Sequence, residues 1–242
     1  MGKIIKTICI FAILSFSTFA NAVTIDDIAK KLENNVNKIK DMQADVEMKT
    51  DVGEGENIVQ KMQIVSKGMD KAKVVSTAPQ KQTIIMNNKK MQIESFDGKK
   101  TVINKDSLLQ GQTPLMSTND MNLQRGIVDF LKDGKSKILN SNGNIYTLEI
   151  IPSEKDKNPL MGKVELQIDY AKGLVMNQKI YSNMGIIITD ISYKKIGNIW
   201  TISEVKTISP VSFGKNKTAT IIMRYNNVKI NQNVTDKVFA IE

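Results

Sequence analysis

The residue types that carry out most enzyme chemistry are scarce in this sequence. It contains no histidine, and its single cysteine is Cys9, near the amino terminus. General-base, thiol and transition-metal chemistry therefore lack their usual residues. The acidic pair Asp26-Asp27 is too short for a calcium loop, and no glycine-rich phosphate loop is present. We expect neither a metal nor a cofactor.

Paired carboxylates are the remaining catalytic option, because a glycosidase needs two of them. Six candidates alternate with apolar residues along predicted strands: Asp45, Glu47, Glu94, Glu149, Glu165 and Asp169. This alternation is typical of carboxylates on the solvated face of a strand. We expect no catalytic residue and no enzymatic activity, so that Glu94→Gln and Glu165→Gln would leave function nearly intact.

Methionine is used in excess on the predicted strands, at Met42, Met48, Met62, Met86, Met91, Met176 and Met223. Its unbranched, polarizable side chain suits surfaces that accept variable apolar partners, and it also fills gaps in a packed core. The sequence leaves both interpretations open.

These side chains need strands to position them, and residues 42–103 predict a run of antiparallel strands. In the first strand Met42, Ala44, Val46 and Met48 occupy one face and polar residues occupy the other. Further alternating segments between residues 145 and 230 bring the expected total to about ten or eleven strands. Val234 and Phe239 are expected to anchor the tail that follows them. No linker rich in proline, glycine or serine divides them.

Two or more helices are expected to cover this sheet. The first, from about Thr24 to Lys40, has an apolar stripe at helical spacing, with Thr24 and Asp27 placed as a capping box. The second begins at Asn119 or Asp120 and ends near Lys132. The fold class is therefore α+β.

The first 22 residues have the pattern of a cleaved signal peptide. Lys3 and Lys6 precede an apolar core, and Ala20-Asn21-Ala22 forms a cleavage site before Val23. We expect a soluble exported protein with a single domain over residues 23–242. The formal charge of +9 is spread over lysines without interleaved aromatic residues, so a solvated face is favoured over a nucleic-acid surface.

Several short motifs, taken in order, resemble those of a known family. They are Asp-Met-Gln-Ala-Asp-Val at the start of the first strand, Phe96-Asp97-Gly98-Lys99, Ile168-Asp169-Tyr170, and the spaced Asn, Val and Phe between Asn226 and Phe239. With the leader and the opening helix, this order is similar to that of the periplasmic lipoprotein-sorting carriers, the LolA-like family. The resemblance extends over essentially all of the chain after the leader.

The resemblance implies a strongly curved, incomplete β-barrel whose concave face receives the acyl chains of a lipoprotein or another lipid. Such a carrier would act as a chaperone that transports its cargo from an inner-membrane releasing complex to an outer-membrane acceptor, and we expect a monomer. The predicted cavity residues are Met48, Met62, Ile64, Val74, Met91 and Ile93. The predicted lid residues are Met121, Ile127 and Leu131.

Charged variants and Lys67 give this hypothesis its first tests. Met91→Glu or Ile64→Glu is expected to keep the fold and abolish binding of a lipidic ligand. Lys67 stands where the family often has an arginine, and as a hydrated point charge it is expected to affect ligand retention more than uptake. The alternative is a sensor or regulatory module on the same scaffold, because a fold does not fix a function.

Overall fold

The computed structural model describes residues 23–53, 57–68, 70–88, 90–104, 127–128, 131–132, 135–151, 162–183, 185–210 and 218–241. The predicted signal peptide and Met121 lie outside these residues. Among the described residues, no helix is long and apolar enough to span a membrane.

The described strands form one antiparallel sheet built from two meanders. The first meander contains six strands: β1 (Asp41–Asp51), β2 (Asn57–Lys67), β3 (Lys71–Ala78), β4 (Gln82–Asn87), β5 (Lys90–Glu94) and β6 (Lys100–Asn104). The second contains seven: β7 (Lys135–Asn142), β8 (Ile145–Ile151), β9 (Val164–Asp169), β10 (Leu174–Ser182), β11 (Gly185–Ile196), β12 (Ile199–Pro210) and β13 (Thr218–Ile230).

The two meanders join where β1 pairs with β13, which leaves β6 and β7 at opposite edges of the sheet. The sheet is curved and does not close. This confirms the predicted curved, unclosed antiparallel sheet, with thirteen strands in place of the expected ten or eleven. One strand absent from the prediction is β7, an edge strand whose side chains are mostly exposed and which therefore needs little apolar alternation.

One α-helix has both of its ends within the described residues, α1 (Ile25–Val36). Its capping box is the one predicted, since Thr24 N donates to Asp27 Oδ2 at 3.0 Å and Asp27 N donates to Thr24 Oγ1 at 3.2 Å. The Thr24 hydroxyl also donates to Asp27 Oδ2 at 2.7 Å, and this bond, together with the one from Thr24 N, lowers the pKa of Asp27. The helix ends before the expected Lys40, because Lys40 N donates to the Asn231 side chain at the start of the sheet.

The expectation of two or more covering helices is not supported. Ile127, Val128, Leu131 and Lys132 have helical backbone, but the remainder of the predicted second helix lies outside the described residues. A short 3₁₀-helix at Asp236–Phe239 was not predicted.

The main core lies on the face of the sheet that carries Ala44 and Val46, which we call the inner face. Ile28, Ala29 and Leu32 of α1 are buried against it. The turn between β9 and β10 comes close to the helix backbone at Gly173, which has φ of +65°. A Cβ at this position would lie 2.5 Å from the Lys31 carbonyl oxygen, so this approach requires glycine.

The opposite, outer face is covered in part by the carboxyl-terminal segment, residues 231–241. Val234 and Phe239 are buried with Ile85, as the sequence predicted for the two anchors of this tail. Asp41 is buried and accepts hydrogen bonds from Gln232 N at 2.7 Å and Val234 N at 3.3 Å. The sheet thus has a large inner core and a small outer one.

Candidate functional site

Strand register brings all six predicted cavity residues to the inner face. Ala44 pairs with Ile64, which pairs with Val74. Val74 pairs in turn with Ile84, and Ile84 with Ile93. Met48, Met62 and Met91 share this face, because side chains alternate with a period of two along each strand.

Burial divides these six residues into two groups. Met62, Ile64 and Val74 are buried members of the main core. Met48, Met91 and Ile93 are half-buried. The first group has its neighbours within the protein already, so a ligand would meet the second group.

Two residues of the half-buried group, Met91 and Ile93, belong to a longer apolar surface on the last three strands of the first meander. We call it the β4–β6 strip; its members, all half-buried on the inner face, are Ile84, Met86, Met91, Ile93 and Ile103. Sequence reasoning missed Ile84, Met86 and Ile103 as site residues. In the run Ile84-Ile85-Met86 every residue is apolar, and the sequence gives no sign that Ile85 faces the carboxyl-terminal segment instead.

Two of the three predicted lid residues can be placed. Ile127 and Leu131 are buried in the main core, which also contains α1. The Lys132 ammonium lies 3.0 Å from Glu33 Oε2, an ion pair that connects this short segment to the helix. Met121 lies outside the described residues.

Lys67 lies on the outer face, away from the predicted cavity residues. Its Nζ is 2.8 Å from Asp236 Oδ1, and Lys71 Nζ is 2.8 Å from Asp236 Oδ2. These two ammonium groups lower the pKa of Asp236 to about 2. Lys67 therefore contacts the carboxyl-terminal segment. From the outer face it cannot contact a ligand on the inner face, so the predicted effect on ligand retention could only be indirect.

The predicted solvated carboxylates include an ion-pair ladder on strands β7 to β9. Glu149 lies 2.7 Å from Lys137 and 3.2 Å from Lys163, and Lys163 lies 2.9 Å from Glu165. The hydrogen bonds from these lysines lower the pKa of both glutamates. A lowered pKa keeps each carboxylate ionised, which is unfavourable for a general acid at neutral pH.

Comparison with known proteins identifies the fold. No protein-family model and no curated protein matches the sequence. Among solved structures, a LolA superfamily protein from Nitrosomonas europaea is 18% identical with a TM-score of 0.64, and the match covers 91% of this chain and 99% of that one.

Two further solved structures give the same result. A DUF1329 family protein from Desulfovibrio piger is 16% identical with a TM-score of 0.68, over 89% of this chain and 95% of that one. A putative outer membrane lipoprotein-sorting protein domain from Vibrio parahaemolyticus is 13% identical with a TM-score of 0.62, over 89% and 97%. The chain has the LolA-like fold, which confirms the resemblance seen in its sequence motifs.

Proposed function

We propose that this protein is a periplasmic carrier that binds the acyl chains of a lipoprotein or a related lipid on its inner face. The observation that carries the proposal is the β4–β6 strip, an apolar surface that continues the main core and whose side chains are only half-buried. The LolA-like fold supports the same proposal, because two of the solved relatives are described by lipoprotein sorting or by the LolA superfamily.

The energetics favour an acyl ligand at such a surface. Removing one methylene from water contributes about 0.8 kcal/mol, so that enclosing five would contribute about 4 kcal/mol before the costs of association. Two of the five side chains of the strip are methionines, Met86 and Met91, which adapt to chains of different length and branching. No charged side chain belongs to the strip, and a free acyl chain requires no specific polar partner.

Introducing a charged side chain into the strip tests the proposal. Met91→Glu should reduce the affinity for a fluorescent fatty acid or lipopeptide at least tenfold, because a carboxylate disfavours a neighbouring acyl chain. The melting temperature should change little, since the half-buried side chain can reach water. Fluorescence titration and thermal unfolding of the same samples provide both values.

The matched control is Val102→Glu. Val102 pairs with Gln92, the neighbour of Met91, and its exposed side chain lies on the outer face. This variant should bind as the unaltered protein does. Equal affinities for the two variants, or an unaltered protein that binds no acyl ligand, would contradict the proposal.

The molecules that co-purify with the protein distinguish the carrier hypothesis from the sensor hypothesis. Native mass spectrometry of protein from the periplasm should show a bound lipid or lipoprotein if it is a carrier. A stoichiometric protein partner without lipid would instead support the sensor hypothesis.

A further inference from the structure

A polar pocket of about 280 Å³ adjoins the apolar strip at the end of the sheet formed by the β3–β4 and β5–β6 turns. Its polar lining residues include Gln60, Ser76, Lys81, Gln82 and Ser95. The pocket is large enough for several water molecules, each of which occupies about 30 Å³ in the liquid, or for a small polar group.

The pocket and the strip form one continuous surface. Ser76 follows Val74 by two residues, Gln82 precedes Ile84 by two, and Ser95 follows Ile93 by two. Ser76 and Gln82 pair across β3 and β4, and the two-residue period of a strand places both on the inner face beside Ile84. An amphipathic molecule with its chain on the strip would therefore have its polar end at this pocket.

Gln60 lines the pocket, and its side chain has an unused hydrogen-bond acceptor. Its Oε1 atom is buried and accepts no hydrogen bond. The neighbouring Ser76 hydroxyl donates to the Ala78 carbonyl oxygen at 3.4 Å, so that hydroxyl already has an acceptor. A buried acceptor without a donor is unfavourable, and a ligand that brings an O–H or N–H group would remove that penalty.

The named pocket residues also limit the charge of the group that would fit. They offer amides, hydroxyls and the single ammonium group of Lys81, which is exposed. An acceptor oxygen at the buried end and one exposed cation at the rim favour a neutral group over a cationic one.

We infer that this pocket binds a neutral polar head group with a hydrogen-bond donor, which Gln60 Oε1 accepts, while the acyl chain lies along the β4–β6 strip. The inference rests on the proposed function and names the class of lipid that the site takes. A hydroxyl of a glyceride and the amide N–H of an N-acylated peptide have this chemistry in common.

A ligand series on the chain from Val23 to Glu242 tests the inference by calorimetric or fluorescence titration. Monolauroylglycerol and N-lauroylglycinamide carry a donor, whereas methyl laurate has the same chain and none. We expect methyl laurate to bind roughly tenfold more weakly than the better of the two donors, which corresponds to about 1.4 kcal/mol. A preference for the glycerol or for the amide identifies which source the pocket suits.

Gln60→Met removes the acceptor while keeping the side-chain length. In this variant the affinities for the three ligands should become nearly equal. The control is Gln63→Met on the same strand, because Gln63 is exposed on the outer face and should leave the preference unchanged. Should Gln60→Met not fold, the ligand series on the unaltered chain still decides the matter. Equal binding of all three ligands would overturn the inference alone, whereas no binding of any would overturn the proposed function.

Discussion

The apolar side chains of the inner face are buried to different extents over β8 and β9 and over β4 to β6. Over β8 and β9, Leu148, Ile150, Leu166 and Ile168 are fully buried. Over β4 to β6, every member of the β4–β6 strip is half-buried. Both regions are apolar and both belong to the same sheet, so composition alone does not account for the difference.

The position of α1 explains why one region is filled. The helix contacts β7 and β10, and its backbone comes against the β9–β10 turn at Gly173. The Lys31 ammonium lies 5.8 Å from the centre of the Tyr170 ring in the same turn, a favourable cation–π distance. The helix thus covers the inner face over strands of the second meander. The apolar side chains of β4 to β6 remain partly exposed.

Different parts of the inner face therefore serve stability and binding. A fully packed region has no volume for a ligand, because protein interiors are as dense as organic crystals. A half-buried apolar region gains free energy when a ligand covers it. Substitutions should therefore affect folding in the packed region, which includes β1 to β3 of the first meander, and binding at the β4–β6 strip.

The largest effect is expected for a charge in the part of the first meander that belongs to the core. The sequence alone predicted that Ile64→Glu would keep the fold, but Ile64 is 2% exposed and lies in the main core. We now expect this variant to lose its cooperative unfolding transition, because an unpaired buried carboxylate costs a large part of the total stability.

The control for Ile64→Glu is Val59→Glu on the same strand, since Val59 is exposed on the outer face. It should unfold cooperatively with little change in midpoint by circular dichroism. A well-folded Ile64→Glu variant would show that the packed region extends less far than the burial indicates.

The next effect compares identical substitutions in the two regions. Ile168→Ala should reduce the free energy of unfolding by about 2 to 5 kcal/mol, as is usual for a fully buried isoleucine. Ile93→Ala should cost about 1 kcal/mol or less, because its side chain is already partly in water. Urea titrations of the two variants measure both, and equal losses would remove the distinction between the regions.

The smallest effect concerns the outer face and depends on pH. The lysine contacts lower the pKa of Asp236 to about 2, below its ordinary value of 3.8. Its contribution to stability is therefore present above pH 3.8 and is lost as the pH falls through about 2. Asp236→Asn should lower the melting temperature slightly at pH 7 and by much less at pH 2.

Salt provides a second check on this ion pair. The Asp236 side chain is largely exposed, so added salt should screen the interaction and reduce the difference between the variant and the unaltered protein. A difference that grows as the pH falls would contradict the role given to Asp236.

Much of the architecture could be predicted from the sequence because local rules govern it. The alternation from Met42 to Met48, the Thr24 capping box and the Val234 and Phe239 anchors each depend on neighbours within a few residues or on simple burial. The inner-face location of all six predicted cavity residues follows from the same alternation. These features agree with the structure.

What could not be predicted depends on contacts between distant parts of the chain. Burial of Met62, Ile64 and Val74 requires knowing where α1 and the segment at Ile127 pack. The location of Lys67 on the outer face depends on Asp236, 169 residues away in the sequence. The edge strand β7 lacks an apolar pattern because it has only one neighbour in the sheet.

The most direct test of the central claim is to find where an acyl chain touches the protein. A fatty acid with a photoreactive diazirine near the end of its chain can be bound, irradiated and located by peptide mass spectrometry. We expect labels on the peptides that contain Ile84 to Met86 and Met91 to Ile93. Labels confined to the peptides of Leu148 and Leu166, or labelling that excess unlabelled lipid does not reduce, would contradict acyl binding at the β4–β6 strip.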